Sequence, residues 1–146
     1  KENLYNFLCN ILKQYIHSIT DTNQKTDIQL TEAWVNKQYE NEYNPVHWHE
    51  ECSISSTLYL KIPNYKPRNI YGKKNTDGAI IFVTDNHSYP DLSFEQPITS
   101  YMPNVGDMFI WPSRLLHGVY PFQGEGERRS VAMNAIHTLN TDSNPT

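Results

Sequence analysis

Residues 44–63 read NPVHWHEECSISSTLYLKIP, and the parsing of this stretch decides the fold. In its second half, Thr57-Leu58-Tyr59-Leu60-Lys61-Ile62 alternates with the two-residue period of a half-buried strand, with Leu58, Leu60 and Ile62 on one face. The first half holds two imidazoles two positions apart, followed at once by two carboxylates. On a strand, His47 and His49 project from the same face and can address one point, while Trp48 turns away. Paired nitrogen donors beside an apolar stripe suit a β-rich protein with a polar interior.

The rest of the chain carries the same pattern outward. Short strands are expected at EAWVNKQYE (32–40), SSTLYLKIP (55–63), AIIFVTD (79–85), DMFIWPS (107–113) and RRSVAMNAIHTL (128–139), broken by Pro, Gly, Asn and Asp. Ala79 to Val83 is apolar throughout, which predicts burial on both sides. Ten tyrosines in 146 residues favour strands and half-polar cavities. Regularly spaced short strands point to a sandwich, jelly roll or small barrel.

One segment differs. In ENLYNFLCNILKQYIHSI (2–19), Leu4, Phe7, Leu8, Ile11, Leu12, Tyr15 and Ile16 recur at helical spacing, and the polar run DTNQKTD ends the helix near Thr20. Its expected role is to cover one face of a sheet. With no repeat, low-complexity tract or linker, the chain reads as one domain over 1–146, a supporting helix over 1–20 and a β core over 28–140. That length buries roughly 70% of the unfolded surface in a single core. The tail TDSNPT is expected to fray, and an opening Lys1 in place of Met fits a fragment or processed form.

A formal charge of −4 argues against a general nucleic-acid binder. The basic clusters are Arg128–Arg129 and KPRNIYGKK (66–74), the latter read as a solvated loop. No apolar run reaches the length of a membrane span, and no signal peptide is visible. Cys9 and Cys52 lie far apart without CxxC spacing, which suits a reducing cytoplasm.

A third nitrogen donor stands at His117, seventy residues beyond His47. Against this, a lone HxH is often two partly exposed side chains. His17, His87 and His137 lack such company and are read as structural or surface residues. Before His117, Gly106-Asp107 makes a tight turn into a strand that Pro112 ends. After it, Arg128, Ser130, Ala132 and Asn134 alternate onto one strand face, with His137 projecting oppositely. A guanidinium and a hydroxyl on one inward face make a carboxylate anchor. The competing reading of Arg128 is a surface pair with Glu125 or Glu127.

NPVHWHEECSISSTLYLKIP, followed by PNVGDMFIWPSRLLHGVYPFQGEGERRSVAMN (103–134), resembles the Fe(II)/2-oxoglutarate-dependent oxygenases. The likeness is greatest to small oxygenases of bacterial and phage type that carry an NPxHxH segment and a GDxxxFPSxLxH segment. It runs from about Glu32 to His137 with both motifs in family order. The G-x5-P-x4-H spacing from Gly106 to His117 by itself also resembles the cupins. The resemblance implies a mainly β, double-stranded β-helix (a cupin-like jelly roll) with the N-terminal helix on its major sheet. It implies His47 and His117 as iron ligands and Arg128 as partner of the far carboxylate of 2-oxoglutarate, with Ser130 completing an Arg-x-Ser pattern. Tyr59 resembles a tyrosine that donates to the same carboxylate in prolyl-hydroxylase-like members, and its parity opposite Leu58 and Leu60 agrees with an inward position. Asn36 is a weaker candidate contact to the cosubstrate.

One position departs from the family. The usual triad is two histidines and a carboxylate, the carboxylate two residues after the first histidine, where this chain has His49. Three readings stay open: a triad of His47, His49 and His117; a motif slid by two, with His49 and Glu51 as the proximal pair; or zinc in place of iron. The first is preferred, since small members generally keep both histidines while position 51 varies. The implied activity is a dioxygenase using Fe(II), 2-oxoglutarate and O2 to hydroxylate an unactivated C–H bond, releasing succinate and CO2. The substrate, tilted by the prolyl-hydroxylase likeness towards protein or peptide, would meet the loops KPRNIYGKKNTD and DNHSYPDLSFEQP. A cupin-like metal- or sugar-binding module without 2-oxoglutarate turnover is the alternative, and a structural jelly roll a third reading.

Overall fold

The computed structural model describes residues 3–20, 25–66, 75–84 and 98–140. His87, the loop DNHSYPDLSFEQP, most of KPRNIYGKKNTD and the TDSNPT tail lie outside the described residues. Asn3 caps helix α1 (Leu4–Thr20), its side-chain oxygen accepting from the amides of Tyr5 and Asn6 at 2.6 and 3.3 Å. Helical spacing buries Leu8, Cys9, Leu12 and Ile16. Leu4 and Phe7 remain exposed, so the buried face begins one turn into the helix.

Among the described residues ten strands follow: β1 (Lys25–Gln38), β2 (Asn44–His47), β3 (Ile54–Lys61), β4 (Asn64–Tyr65), β5 (Ile80–Val83), β6 (Ile98–Tyr101), β7 (Met108–Pro112), β8 (Leu116–Val119), β9 (Gly124–Glu125) and β10 (Arg128–Asn140). The order β1-β10-β3-β7 forms a major sheet, β2-β8-β5-β6 a minor sheet, and β4-β9 a short clip. All pairings are antiparallel, and the chain crosses repeatedly between the two larger sheets. This winding is the double-stranded β-helix expected from the motifs. The β core starts at Lys25 rather than residue 28, because β1 stays paired with β10 out to Lys25↔Asn140.

In the major sheet, two bulges set which side chains face inward. β1 pairs Leu30 with Ala135 and then Glu32 with Asn134, leaving Thr31 unpaired. One extra residue reverses the alternation. Ile28 and Leu30 therefore pack under α1, whereas Trp34, Asn36 and Gln38, of the same parity, line an internal cavity. A second bulge leaves Leu60 unpaired between Tyr59↔Ser130 and Lys61↔Arg129. The stripe Leu58, Leu60, Ile62 is broken there, and Leu60 is 46% exposed. Leu12 and Ile16 instead form a cluster with Ile54 and Ala135, against which Met108 and Ile110 pack. Between the sheets, Ile80, Phe82 and Trp111 form a second cluster. Ala79 to Phe82 are buried, as the unbroken apolar run predicted.

Candidate active site

The inner face of the major sheet is laid out in rungs. Gln38 stands opposite Arg128, Asn36 opposite Ser130 and Tyr59, and Glu32 opposite Asn134 and Ser55. All of these residues except Glu32 line a cavity of about 210 Å³ that also meets His47, His49 and His117. That volume is below the roughly 300–1,000 Å³ of sites for drug-sized ligands. It suits one small molecule.

The histidines converge by a route the sequence did not predict. His47 and His117 are register partners across β2 and β8, with ring centroids 4.3 Å apart. β2 ends at His47, so the shared strand face expected of His47 and His49 does not exist. The His49 amide donates to the Ser113 carbonyl at 2.9 Å, and its ring stacks on His117 at 5.1 Å with its Nε2 3.3 Å from Nε2 of His117. One ring nitrogen from each of the three lies within 4.8 Å of the others.

This donor set fits a metal. Nitrogens held about 2.0–2.1 Å from one ion lie roughly 3 Å apart when adjacent, close to the 3.3 Å observed. Nδ1–H of His47 donates to Pro45 O at 2.6 Å and Nδ1–H of His117 to Leu115 O at 2.9 Å, which leaves both Nε2 lone pairs facing inward. Burial pushes the pKa of His117 down to about 4, opposed by the Leu115 carbonyl and reinforced by His47 and His49. Burial, then His47, also lowers that of His49, against the pull of Glu32. Such rings favour the neutral form that ligation needs. Glu51 is exposed in a left-handed conformation (φ 57°) and lies outside this cluster, while Glu50 pairs with Arg114 on the surface at 3.6 Å.

Arg128 closes the other end. It is 2% exposed. Its Nη1 donates to Gly78 O at 2.8 Å and its Nη2 to Gln38 Oε1. The Tyr65 hydroxyl is buried near the guanidinium and makes no hydrogen bond of good geometry among the described residues. Gly78 has φ 75°, and a Cβ there would come within 2.5 Å of the Tyr65 ring, so only glycine allows this close wrapping. The expected competitor Glu127 is occupied by Arg129, in two bonds of 2.6 and 2.8 Å. Among the described residues, Arg128 has only neutral partners. Burial lowers its pKa, with Tyr59 and Tyr65 opposing, but a guanidinium stays charged in any case.

Tyr59 is 2% exposed, and burial pushes its pKa up to about 12, with Arg128 pulling down and Tyr65 adding to the rise. Its hydroxyl keeps its proton and can donate. Ser130 and Asn36 line the same cavity. A buried cation, two hydroxyls and an amide around a small volume fit one end of a dicarboxylate such as 2-oxoglutarate. Two other histidines have structural partners, His17 with Thr26 at 3.1 Å and His137 with Ser53 at 2.8 Å. Gln38, Tyr65 and Gly78 were missed in the sequence, and Asn134 was read only as a face-mate of Arg128. For Gln38 the signal is the β1–β10 register, which a bulge hides.

Residues 32–134 match the family model described as "Putative 2OG-Fe(II) oxygenase". A search of the curated proteins finds no significant match. Among solved structures, the chain is similar to a 2OG-Fe(II) oxygenase family oxidoreductase from Burkholderia pseudomallei, with 11% identity, a TM-score of 0.60, and 84% of this chain and 50% of that one covered. A prolyl-4-hydroxylase from Pseudomonas putida is 16% identical with a TM-score of 0.52, over 86% of this chain and 59% of that one. HygX from Streptomyces hygroscopicus, crystallised with nickel and 2-oxoglutarate, is 15% identical with a TM-score of 0.51, over 84% and 63%. The chain thus spans between half and just under two thirds of these structures' lengths. At such identities the likeness shows the fold alone. The family match covers more than two thirds of the sequence and contains the three histidines and Arg128, and on that match the chain belongs to the 2OG-Fe(II) oxygenases, a family that works with Fe(II) and 2-oxoglutarate.

Proposed function

We propose that His47, His49 and His117 hold Fe(II) as an all-histidine triad, and that Arg128, Tyr59 and Ser130 hold the far carboxylate of 2-oxoglutarate. The observation that carries this reading is a buried guanidinium with neutral partners sharing one small cavity with three converging imidazoles. An uncompensated buried charge costs several kcal/mol, which an anion in the cavity offsets. Arg128 supplies the charge and Tyr59 a proton donor fixed by burial. Three protein ligands would leave further positions on the metal open. When bound, Fe(II), 2-oxoglutarate and O2 supply an oxidation that yields succinate and CO2 and hydroxylates an unactivated C–H bond.

The cavity has no room for a second large molecule, so the substrate meets its mouth, where Tyr43 is 62% exposed. A protein or peptide segment is the substrate class proposed, supported by that open rim and by the likeness to a prolyl-4-hydroxylase. The two free cysteines and the need to keep Fe(II) reduced favour a cytoplasmic setting. The test is aerobic incubation with Fe(II) and 2-oxoglutarate, following succinate. Slow succinate formation without substrate, abolished by His117→Ala, is expected. Metal binding with no succinate would instead mark a cupin-like binding module.

A further inference from the structure

Gln38 and Arg128 are register partners across β1 and β10, and both line the cavity together with Tyr59 and Ser130. Nη2 of Arg128 donates to the Gln38 side-chain oxygen, and Nη1 to Gly78 O at 2.8 Å. The contact with Arg128 fixes the Gln38 amide without ambiguity. A guanidinium has five N–H donors and no acceptor, so only Oε1 can face it and Nε2 is turned away. Among the described residues that Nε2 has no hydrogen-bond partner. Its two N–H bonds are free to meet a ligand.

The backbone around Gln38 is held as well. Just past it, Glu40 Oε1 accepts from the Gly124 amide at 2.9 Å, and the Asn41 amide donates to Phe122 O at 2.9 Å. The end of β1 is thereby tied to the segment that leads into Arg128, and the two side chains keep their spacing. No Asp or Glu is among the described residues that line the cavity, so no carboxylate of the chain competes there for these donors. A hydrogen bond from a cation onto Oε1 polarises the carboxamide and strengthens its N–H groups as donors.

We propose that Gln38 is a cosubstrate-binding residue: its Nε2–H donates to the far carboxylate of 2-oxoglutarate beside Arg128, so that selection of a dicarboxylate over a 2-oxo monocarboxylic acid rests on both side chains. This builds on the reading of Arg128 as the carboxylate anchor. An ionised carboxylate, with two oxygens and no donor, can accept from the guanidinium and the amide at once. In the opposite arrangement Oε1 merely fills the place of a carboxylate oxygen, and the ligand must displace Gln38. The two arrangements predict opposite signs when the amide is removed.

Titration calorimetry of the Zn(II)-loaded protein decides between them, with 2-oxoglutarate and with 2-oxovalerate, which has the same metal-chelating end but no far carboxylate. Gln38→Met, close in size and without an N–H donor, should weaken 2-oxoglutarate by about 10–150-fold, the range for a hydrogen bond to a charged group. It should leave 2-oxovalerate within a few-fold. Gln38→Glu keeps an oxygen on Arg128 but sets a second carboxylate against the ligand, and should erase the preference for 2-oxoglutarate. The side-chain amide resonances of Gln38, assigned by their absence in Gln38→Met, separate a direct contact from a role confined to holding Arg128. 2-Oxoglutarate should move one of the two amide protons downfield, and 2-oxovalerate neither. Unweakened or tightened 2-oxoglutarate binding in Gln38→Met, or amide protons that respond alike to both acids, overturns the proposal. Wild-type protein that binds the two acids equally overturns the carboxylate-anchor reading itself.

Discussion

The two ends of the cavity are built by different means. At the arginine end, Arg128, Ser130 and Tyr59 stand on adjoining strands of the major sheet, and the guanidinium is clamped by Gly78 and Gln38. At the histidine end, His47 and His117 face one another across two four-residue strands, while His49 hangs beyond the end of β2 on a side-chain network. Groups set on continuous strands are held to tighter geometry than groups on loops. The end assigned to an anion is therefore set on continuous strands, whereas the end assigned to the metal takes one of its three ligands from a loop. If the ends are separate devices, damage to one should spare the other.

The sharpest break is expected at His117, buried at the centre of the cluster. His117→Ala should abolish Fe(II) binding, a loss beyond the ~10–100-fold typical of outer partners, measurable by equilibrium dialysis. Close behind, His49→Ala should lose iron while Glu51→Ala retains it. The reverse pattern would restore the slid motif. At the other end, Arg128→Ala should weaken 2-oxoglutarate by about 2–5 kcal/mol, with iron affinity held within a few-fold. Calorimetric titration of the iron-loaded protein separates the two. Loss of iron in that variant would show that the ends are not independent.

Smaller effects test the scaffold. Leu12→Ala removes a side chain 1% exposed from under the major sheet. It should cost about 2–5 kcal/mol of unfolding free energy in denaturant melts while leaving metal stoichiometry intact. The smallest concerns pH. The pKa of His117 is lowered from 6.5 to about 4 in the fold, so between those values the unfolded chain takes up a proton that the native ring refuses. The metal-free protein should lose this contribution to stability as pH falls from about 6.5 towards 4, and keep it above. A denaturation midpoint that rises on acidification across that window would contradict the assignment.

Much of this was readable from residues 44–63 and 103–134. The order of HxH, distal histidine and Arg-x-Ser carries the family, and five of the ten described strands follow from alternation or an unbroken apolar run. What could not be read depends on register. Thr31 and Leu60 give no local sign that they are bulged, yet they decide that Gln38 meets Arg128 and that Leu60 stays outside. β4 and β9 are two residues each, too short for any periodicity. His47 and His49 were expected to share a strand face, but β2 ends at His47, and a loop held by Ser113 carries His49 instead.

The central claim is that one cavity holds Fe(II) and 2-oxoglutarate side by side. Anaerobic addition of Fe(II) to the metal-free protein, followed by 2-oxoglutarate, tests it most directly. Chelation of the metal by the cosubstrate should produce a visible metal-to-ligand charge-transfer band that saturates at one equivalent and is shifted to higher 2-oxoglutarate concentrations by Arg128→Ala. Iron that binds without giving this band on addition of 2-oxoglutarate would contradict the account.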